Sequence, residues 1–203
     1  WITPFPETEI KTTVDGEVLV KGPQIMSGYF NRPQETQDMY TSDGWFKTGD
    51  QGALDVYGYL NITDRKKDII ITSAGRKIAP MQVESAFTAH PMVSQIAVFG
   101  DSRKYLGALI VPDLHNLTVW ASDNGIKSVS AEELIKDSRV IAKYKKITEK
   151  MNRLSGFAEP VHKFKLMQGE FTFDEGETTP DMRIKRKAIA AKYAKEIEAL
   201  FSE

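Results

Sequence analysis

The residues best suited to bind a nucleotide sugar lie close together in the first third of the sequence. Asp50 follows Gly49 at the end of the segment WFKTGD, and Arg65 follows the segment GYLNITD. An acidic side chain on a turn can accept two hydrogen bonds from the vicinal hydroxyl groups of a ribose. A nearby arginine can donate to the same sugar or to a phosphate. Each residue also has a simpler interpretation, since Asp50 can be a turn former and Arg65 part of a solvated charge pair.

A second group of candidates is basic and lies near the end of the chain. Arg183 and Lys185 open a stretch, residues 183–195, that contains six basic residues and no acidic residue. In extended backbone, two residues that are two positions apart point to the same side, so both cations can reach one anionic substrate. The alternative is a solvated helix start, balanced by the acidic residues between 170 and 177.

The composition limits the class of protein. The 203 residues include 41% hydrophobic and 27% charged side chains, with a net charge of −1, which is typical of a globular protein. This charge balance and the lack of a nucleic-acid-binding motif argue against a nucleic-acid partner. The lack of cysteine excludes disulfide bonds and thiol catalysis, and no histidine or carboxylate spacing predicts a metal site. Because we recognise neither a membrane-spanning run nor a signal peptide, we expect a cytoplasmic protein.

Turn residues divide the first third of the chain into short β-strands. Asp15-Gly16 is a turn signal before the strand-forming segment 17–20, and glycine and proline recur throughout this region. That density leaves room for at most one short helix, near residues 35–39.

After residue 64 the pattern becomes mixed. The segments 68–72 and 76–78 predict the two strands of a β-hairpin with a turn between them. Pro80 suits the first turn of a helix that ends near residue 89. The segments 93–99 and 106–111 predict two further strands.

The remainder is mainly helical. A short helix is predicted from residue 114 to 122, and one long helix begins at the capping residue Ser130. Apolar residues of the long helix recur at spacings of 4, 3, 4 and 3, which predicts one core-facing stripe. The stripe consists of Val140, Tyr144, Ile147, Met151 and Leu154. A strand near 164–167 and a last helix over 185–200 complete the pattern.

Three motifs, in this order and spacing, resemble the adenylate-forming superfamily. They are WFKTGD at 45–50, GYLNITDRKKDIIITSAGRKIAPMQVE at 58–84 and GDSRKYLGALIVPD at 100–113. Within that superfamily the sequence is similar to the C-terminal portion of long-chain fatty-acid–CoA ligases. The resemblance implies an enzyme that activates a fatty acid with ATP and Mg²⁺ to an acyl-adenylate. It then transfers the acyl group to coenzyme A.

The resemblance also implies roles for single residues. Asp50 and Arg65 match residues that bind the ATP ribose, and Gly75 matches a hairpin glycine that lines the pantetheine tunnel. Lys67 matches the hinge about which a small C-terminal domain rotates between the two half-reactions. Such a hinge needs a residue that absorbs a large backbone change at an element boundary, and Lys67 lies where the sequence pattern changes.

The adenylation lysine of the family has two candidates in this chain. The family pattern Thr-Pro-Thr-x-Lys-x-Lys-Arg corresponds to TPDMRIKR at 179–186, which places Arg183 at the position of the catalytic lysine. Arginine keeps the positive charge but has a bulkier, planar group. Either Arg183 contacts the substrate carboxylate and phosphate, or Lys185 takes its place.

Two motifs of the family that the sequence resembles are absent from these 203 residues. The sequence has neither the Ser/Thr/Gly-rich phosphate loop nor the motif whose glutamate helps bind Mg²⁺ in the family. We therefore expect that Mg²⁺ and the acyl chain bind to a missing N-terminal domain, and that this chain has no ligase turnover by itself.

The predicted fold is α+β. Residues 1–64 are expected to form the β-rich distal part of the large AMP-binding domain, 65–68 the hinge, and 69–203 an α+β lid with a hairpin and a three-stranded sheet. Two alternatives stay open. The chain can be a free-standing, non-catalytic interaction module, and the apolar face of the last helix can contact a membrane surface. That face consists of Ile189, Tyr193, Ile197 and Leu200.

Overall fold

The computed structural model describes residues 5–127 and 130–202. Residues 1–4, which the predicted β-rich piece includes, lie outside this range. The chain divides into two compact units, Trp1–Ile69 and Ile70–Glu203. The fold is mixed α+β, as predicted, with a β-rich first unit and a second unit of strands and helices.

The first unit is built on a four-stranded antiparallel sheet with its strands in chain order. The strands are β1 (Glu9–Thr12), β2 (Glu17–Lys21), β3 (Phe46–Leu54) and β4 (Leu60–Arg65). One short helix, α1 (Pro33–Asp38), precedes β3 and begins with a proline, whose fixed φ suits the first helical turn. Val18, Leu19 and Leu60 are buried and form the apolar interior of this unit.

The predicted Asp15-Gly16 turn joins β1 to β2. Gly16 has a φ of 85°, a left-handed conformation that glycine adopts without strain. Its N–H donates to the carbonyl of Thr13 at 2.9 Å. This turn sets the register in which β1 and β2 pair.

The second unit contains a two-stranded hairpin and a three-stranded sheet. The hairpin strands are β5 (Ile70–Ile71) and β6 (Lys77–Ile78), and the sheet strands are β7 (Val93–Phe99), β8 (Leu106–Pro112) and β9 (Val161–Leu166). Strand β8 is central, antiparallel to β7 and parallel to β9. The helices are α2 (Pro80–Thr88), α3 (Leu114–Asp123), α4 (Ala131–Lys136), α5 (Ser138–Ser155), α6 (Arg186–Lys192) and α7 (Ala194–Phe201).

Helices cover both faces of the three-stranded sheet. Ala108 and Ile110 of β8 pack in one buried cluster with residues of α2, α3 and α5. Leu109 and Val111 pack in a second cluster with residues of α6 and α7. Because both faces are covered, every residue of β8 is buried, and the strand is a continuous apolar run instead of an alternating one.

Two predicted helices are interrupted. The helix that begins at Ser130 ends at Lys136, and α5 starts anew because Asp137 is extended and its side chain accepts from the N–H of Arg139 at 2.8 Å. Aspartate competes in this way with the helical backbone and favours a cap. The last helix breaks at Tyr193, whose φ of −108° and ψ of 33° are not helical.

The predicted apolar stripe of α5 is correct for four residues and wrong for the fifth. Val140, Tyr144, Ile147 and Met151 are buried. Leu154 is 66% exposed, because it lies in the last turn of α5, before the left-handed C-cap Gly156, where the helix extends beyond the sheet-facing core.

Candidate functional site

Asp50 and Arg65, the predicted ribose-binding residues, are direct neighbours across strands β3 and β4. Their Cα atoms are partners in the antiparallel register, and Arg65 Nε lies 2.8 Å from Asp50 Oδ1. The side chain of Asp50 is 28% exposed and that of Arg65 is 47% exposed. The pair therefore presents a carboxylate and a guanidinium side by side at the surface, and both groups can hydrogen-bond to hydroxyl groups.

The local sequence explains how Asp50 is presented. Gly49 has a φ of 71°, and a Cβ at this position would meet no atom within 4 Å. Its backbone angle, not lack of space, therefore favours glycine. Thr48 Oγ1 donates to the carbonyl of Val18 at 2.7 Å and accepts from the N–H of Asp50 at 3.1 Å. A register shift between β3 and β4 follows within two residues, and such bulges direct side chains out of the regular pleat.

The segment after β4 is a single 3-10 turn, Lys66–Asp68. Lys66 Nζ lies 2.8 Å from Asp15 and 2.7 Å from Glu17. The hydrogen bond from Lys66 lowers the pKa of Asp15 to about 2, and the same bond raises the pKa of Lys66. Lys66 thus ties this turn to the start of β2, whereas Lys67, the predicted hinge, is exposed.

Gly75 lies in the turn of the β5–β6 hairpin. Its φ is 75°, and its N–H donates to the carbonyl of Thr72 at 2.9 Å. A Cβ on Gly75 would meet no atom within 4 Å, so the outer side of the turn is open to an approaching ligand. The hairpin is anchored by Arg76, whose Nη1 lies 2.8 Å from the buried carboxylate of Glu159.

Arg183 follows a turn that its own polar side chains hold in place. Thr179 Oγ1 accepts from the N–H of Arg183 at 3.0 Å. The guanidinium of Arg183 forms an ion pair with Asp181, with Nη2 and Oδ2 2.6 Å apart. Arg183 and Asp181 are both largely exposed, so solvent screens this pair.

Lys185 lies two residues further on, at the N-cap of α6. Its N–H donates to the carbonyl of Glu177 at 2.8 Å, and its Nζ lies 5.8 Å from the centre of the Phe173 ring, within the range of a cation–π contact. Ile184 between the two cations is half-buried, and Arg183 and Lys185 are exposed on either side of it.

Glu177 is a buried carboxylate that anchors the loop before these cations. Its side chain is 1% exposed and lies 2.9 Å from Lys192 Nζ, and it accepts from the N–H of Thr172 at 3.0 Å. Burial works to raise the pKa of Glu177, but these partners outweigh it and the pKa is lowered. The bond to Glu177 also raises the pKa of Lys192. The sequence offered no signal for this role, because Glu177 stands among other acids in a polar segment.

A second buried anchor joins the start of α6 to the sheet. Arg186 forms an ion pair with Glu84 of α2, and the exposed fractions of their side chains are 15% and 12%. Arg186 Nε donates to the carbonyl of Val98, and Glu84 Oε1 accepts from the N–H of Val98, both at 2.9 Å. The two residues are 102 positions apart, so no local pattern could have paired them. Arg186 directly follows Lys185, so this buried anchor lies next to the exposed cation in the chain.

Residues 67–203 match the family model of the AMP-binding enzyme C-terminal domain. The chain belongs to this family. The match confirms the resemblance to adenylate-forming enzymes that the motifs indicated. Within the family match, Lys67 is the first residue, and Gly75, Arg183 and Lys185 lie inside it, whereas Asp50 and Arg65 precede it.

Curated relatives of this AMP-binding enzyme C-terminal domain are fatty-acid–CoA ligases. The chain is 40% identical to the long-chain fatty-acid–CoA ligase FadD15 of Mycobacterium tuberculosis over 98% of its own length and 33% of that protein. It is 37% identical to human long-chain fatty-acid–CoA ligase 1 over 93% of its length and 27% of that protein. The chain therefore spans about a third or less of the length of these relatives.

Solved structures of adenylate-forming enzymes have the same fold. The adenylation domain of a carboxylate reductase from Mycobacterium chelonae superposes with a TM-score of 0.79 at 24% identity, over 97% of this chain and 31% of that one. O-succinylbenzoate coenzyme A synthetase from Bacillus subtilis, in complex with AMP, has a TM-score of 0.61 at 29% identity, over 91% of this chain and 34% of that one.

The structure brings some of the predicted site residues together. Asp50 and Arg65 form one pair within the first unit. Gly75, Arg183 and Lys185 belong to the second unit. Within residues 5–127 and 130–202, no group of three or more histidine or carboxylate side chains is arranged to hold a metal.

The last helices offer no apolar face to a membrane. Ile189, Ile197 and Leu200 are all buried against the sheet, and Tyr193 packs against the same cluster. The alternative in which these side chains contact a membrane is therefore wrong, because the core already covers them. In the part of the chain that the structure describes, no helix has the length and apolar character needed to cross a bilayer.

Proposed function

We propose that this chain is the C-terminal portion of a long-chain fatty-acid–CoA ligase. The observation that carries the proposal is the alignment of 98% of the chain with one third of such a ligase at 40% identity. The complete enzyme converts a fatty acid and ATP to acyl-AMP and pyrophosphate. It then converts acyl-AMP and coenzyme A to acyl-CoA and AMP.

Asp50 and Arg65 hold the ribose of ATP in this proposal. The support is their geometry, since Arg65 Nε lies 2.8 Å from Asp50 Oδ1 and both groups are accessible to solvent. Arg65 orients the carboxylate of Asp50, which accepts hydrogen bonds from ribose hydroxyl groups. Mg²⁺ neutralises charge on the phosphates of ATP when it is bound, and its ligands belong to the remainder of the enzyme.

Lys67 is the hinge and Gly75 faces the pantetheine arm of coenzyme A. Lys66 is held by two carboxylates, whereas Lys67 is exposed and lies at the end of the first unit. A short 3-10 turn that follows an anchored residue at the end of a strand is a suitable place for a large change in backbone angles. At Gly75 the open turn allows the backbone to approach a ligand closely.

One of two cations contacts the substrate carboxylate and α-phosphate during adenylation. Arg183 has the matching position in the motif, but Asp181 already pairs with its guanidinium. Lys185 is exposed at the N-cap of α6, and its backbone is held by Glu177. A cation at this place stabilises the negative charge that develops on the reacting phosphate.

The test uses the longer ligase that carries this sequence and measures the two half-reactions separately. Pyrophosphate release reports adenylation, and acyl transfer from added acyl-AMP to coenzyme A reports thioester formation. Asp50→Asn should lower pyrophosphate release at least tenfold, whereas Asp43→Asn, an exposed acid in the same unit, should leave it unchanged. Arg183→Ala and Lys185→Ala, compared with the exposed neighbour Lys187→Ala, identify the adenylation cation.

Two results would overturn the proposal. The first is acyl-CoA production by the 203-residue chain alone. The second is a native protein of about 23 kDa in its own cells, detected with an antibody against this chain, instead of one about three times this mass. If neither Arg183→Ala nor Lys185→Ala lowers pyrophosphate release, the residue assignment is wrong while the ligase assignment stands.

A further inference from the structure

Helix α5 carries basic side chains that have no role in the proposed ligase site. Its sequence, Ser138–Ser155, has six basic residues and one acidic residue. Five of the basic residues recur at spacings of 4, 3, 4 and 3, which places them on one side of the helix. These five form the basic stripe, which consists of Arg139, Lys143, Lys146, Lys150 and Arg153.

The basic stripe is long and accessible. It covers 14 helical steps, or about 21 Å at 1.5 Å per residue. Four of its residues are exposed, and Lys143 is half-buried with its Nζ 5.5 Å from the centre of the Trp120 ring. Asp137 pairs with Arg139 at 2.9 Å and Glu149 is the acid within the helix, so acids in and next to α5 are too few to neutralise the stripe.

The positive potential of the stripe extends to a neighbouring residue. His90 lies just after α2, and its pKa is lowered first by burial and then by the positive charges of Lys150 and Lys143. Since the whole chain has a net charge of −1, the residues outside the stripe carry a net negative charge, and the stripe is a local concentration of positive charge. Such a patch attracts polyanions.

We propose that the basic stripe of α5 binds the anionic headgroups of a lipid surface. A single phosphate or nucleotide is normally held by groups that converge in a cleft, whereas these side chains diverge along a convex helix and fit an extended partner. Leu154, four residues after Lys150 on the same helix, is 66% exposed. A lipid surface offers anionic headgroups to the cations and an apolar layer to this leucine.

A nucleic acid fits the basic stripe less well. Single strands are held largely by aromatic rings that stack on the bases. The aromatic ring beside the stripe belongs to Trp120, which is half-buried against the core and covered by Lys143. The lipid proposal does not depend on the ligase activity.

The test measures co-sedimentation of the full chain with vesicles. One set contains phosphatidylcholine alone, and the other contains about one third phosphatidylserine. The stripe variant is Lys146→Gln, Lys150→Gln and Arg153→Gln. The matched control removes three exposed lysines outside α5, by Lys104→Gln, Lys127→Gln and Lys195→Gln. Circular dichroism establishes that both variants are folded.

We expect binding to the anionic vesicles only, with strong weakening by salt. Each basic residue at an anionic surface raises partitioning about fivefold, so the stripe variant should bind roughly a hundredfold more weakly. The control should change by less than about threefold, because its lysines are not part of the basic stripe. Equal losses in both variants, equal binding to neutral vesicles, no binding at all, or stripe-dependent binding to duplex DNA in place of vesicles would each overturn the proposal.

Discussion

Replacing Arg186 by methionine should destabilise the second unit strongly, because it removes the cation of a buried ion pair with the carboxylate of Glu84. The two side chains are 15% and 12% exposed, so solvent screens the pair little. Arg186 also donates to the carbonyl of Val98 at 2.9 Å. Breaking one half of such a buried ion pair costs about 3–5 kcal/mol, and we expect an effect in this range for Arg186→Met.

The double variant tests the reasoning further. In Glu84→Gln with Arg186→Met both buried charges are gone, and the glutamine oxygen can still accept from the N–H of Val98. The double variant should therefore be more stable than Arg186→Met alone by at least about 1.5 kcal/mol. The exposed arginine Arg183 is the matched control, and Arg183→Met should cost at most about 0.5 kcal/mol.

Native-state hydrogen exchange of the β7 and β8 amides is the appropriate assay, because it reports the free energy of opening of this sheet separately from the first unit. A loss below about 1 kcal/mol for Arg186→Met would refute the argument. So would a double variant less stable than the single one, since the destabilisation could then not come from the loss of the ion pair's cation.

Three further predictions concern single contacts. Lys66→Gln should raise the pKa of Asp15 from about 2 toward its ordinary value of 3.8, as measured by NMR titration. Because a lowered pKa in the folded state adds stability above the ordinary pKa, the destabilisation by this change should be complete at neutral pH and vanish as the pH falls from about 4 to about 2. Gly75→Ala should cost about 1–2 kcal/mol in urea denaturation, since φ is 75° there, whereas Gly169→Ala, without a positive φ or a close neighbour, should have a smaller effect. Asn152→Ala should lower the stability by about 1–2 kcal/mol in thermal denaturation, because the amide bonds both the N–H and the carbonyl of one β9 residue at 3.0 and 2.8 Å. Asn152→Asp keeps only the hydrogen-bond acceptor, so its stability should lie between that of the unchanged protein and that of Asn152→Ala.

Most elements could be predicted because their signals are local. Pro80 starts α2 at the first helical turn, and Ser130 caps α4 by accepting from the N–H of Glu133 at 3.2 Å. The buried β-strands β7 and β8 lie where the apolar segments 93–99 and 106–111 predicted them. Such signals depend on neighbouring residues only, so one sequence is enough to read them.

The errors had two physical causes, a local helix cap and the limited extent of the core. The helical period continued through Asp137, but the side chain of this residue caps a new helix instead. Leu154 matched the apolar period, but it is exposed because the last turn of α5 extends beyond the core on which the helix packs. A period shows which side of a helix is apolar, and it does not show how far the opposing surface extends.

The sequence by itself determined which residues are candidates for the site, because the motifs place suitable chemical groups at defined spacings. It identified Asp50, Arg65, Gly75, Arg183 and Lys185 as candidates. Only the tertiary structure decided which groups meet. The antiparallel register brings Asp50 opposite Arg65, and packing of α2, β7 and α6 joins Glu84 to Arg186 across 102 positions. Charges so distant in the chain become partners only where the fold brings them together, and the cost of burying this pair depends on its whole surroundings.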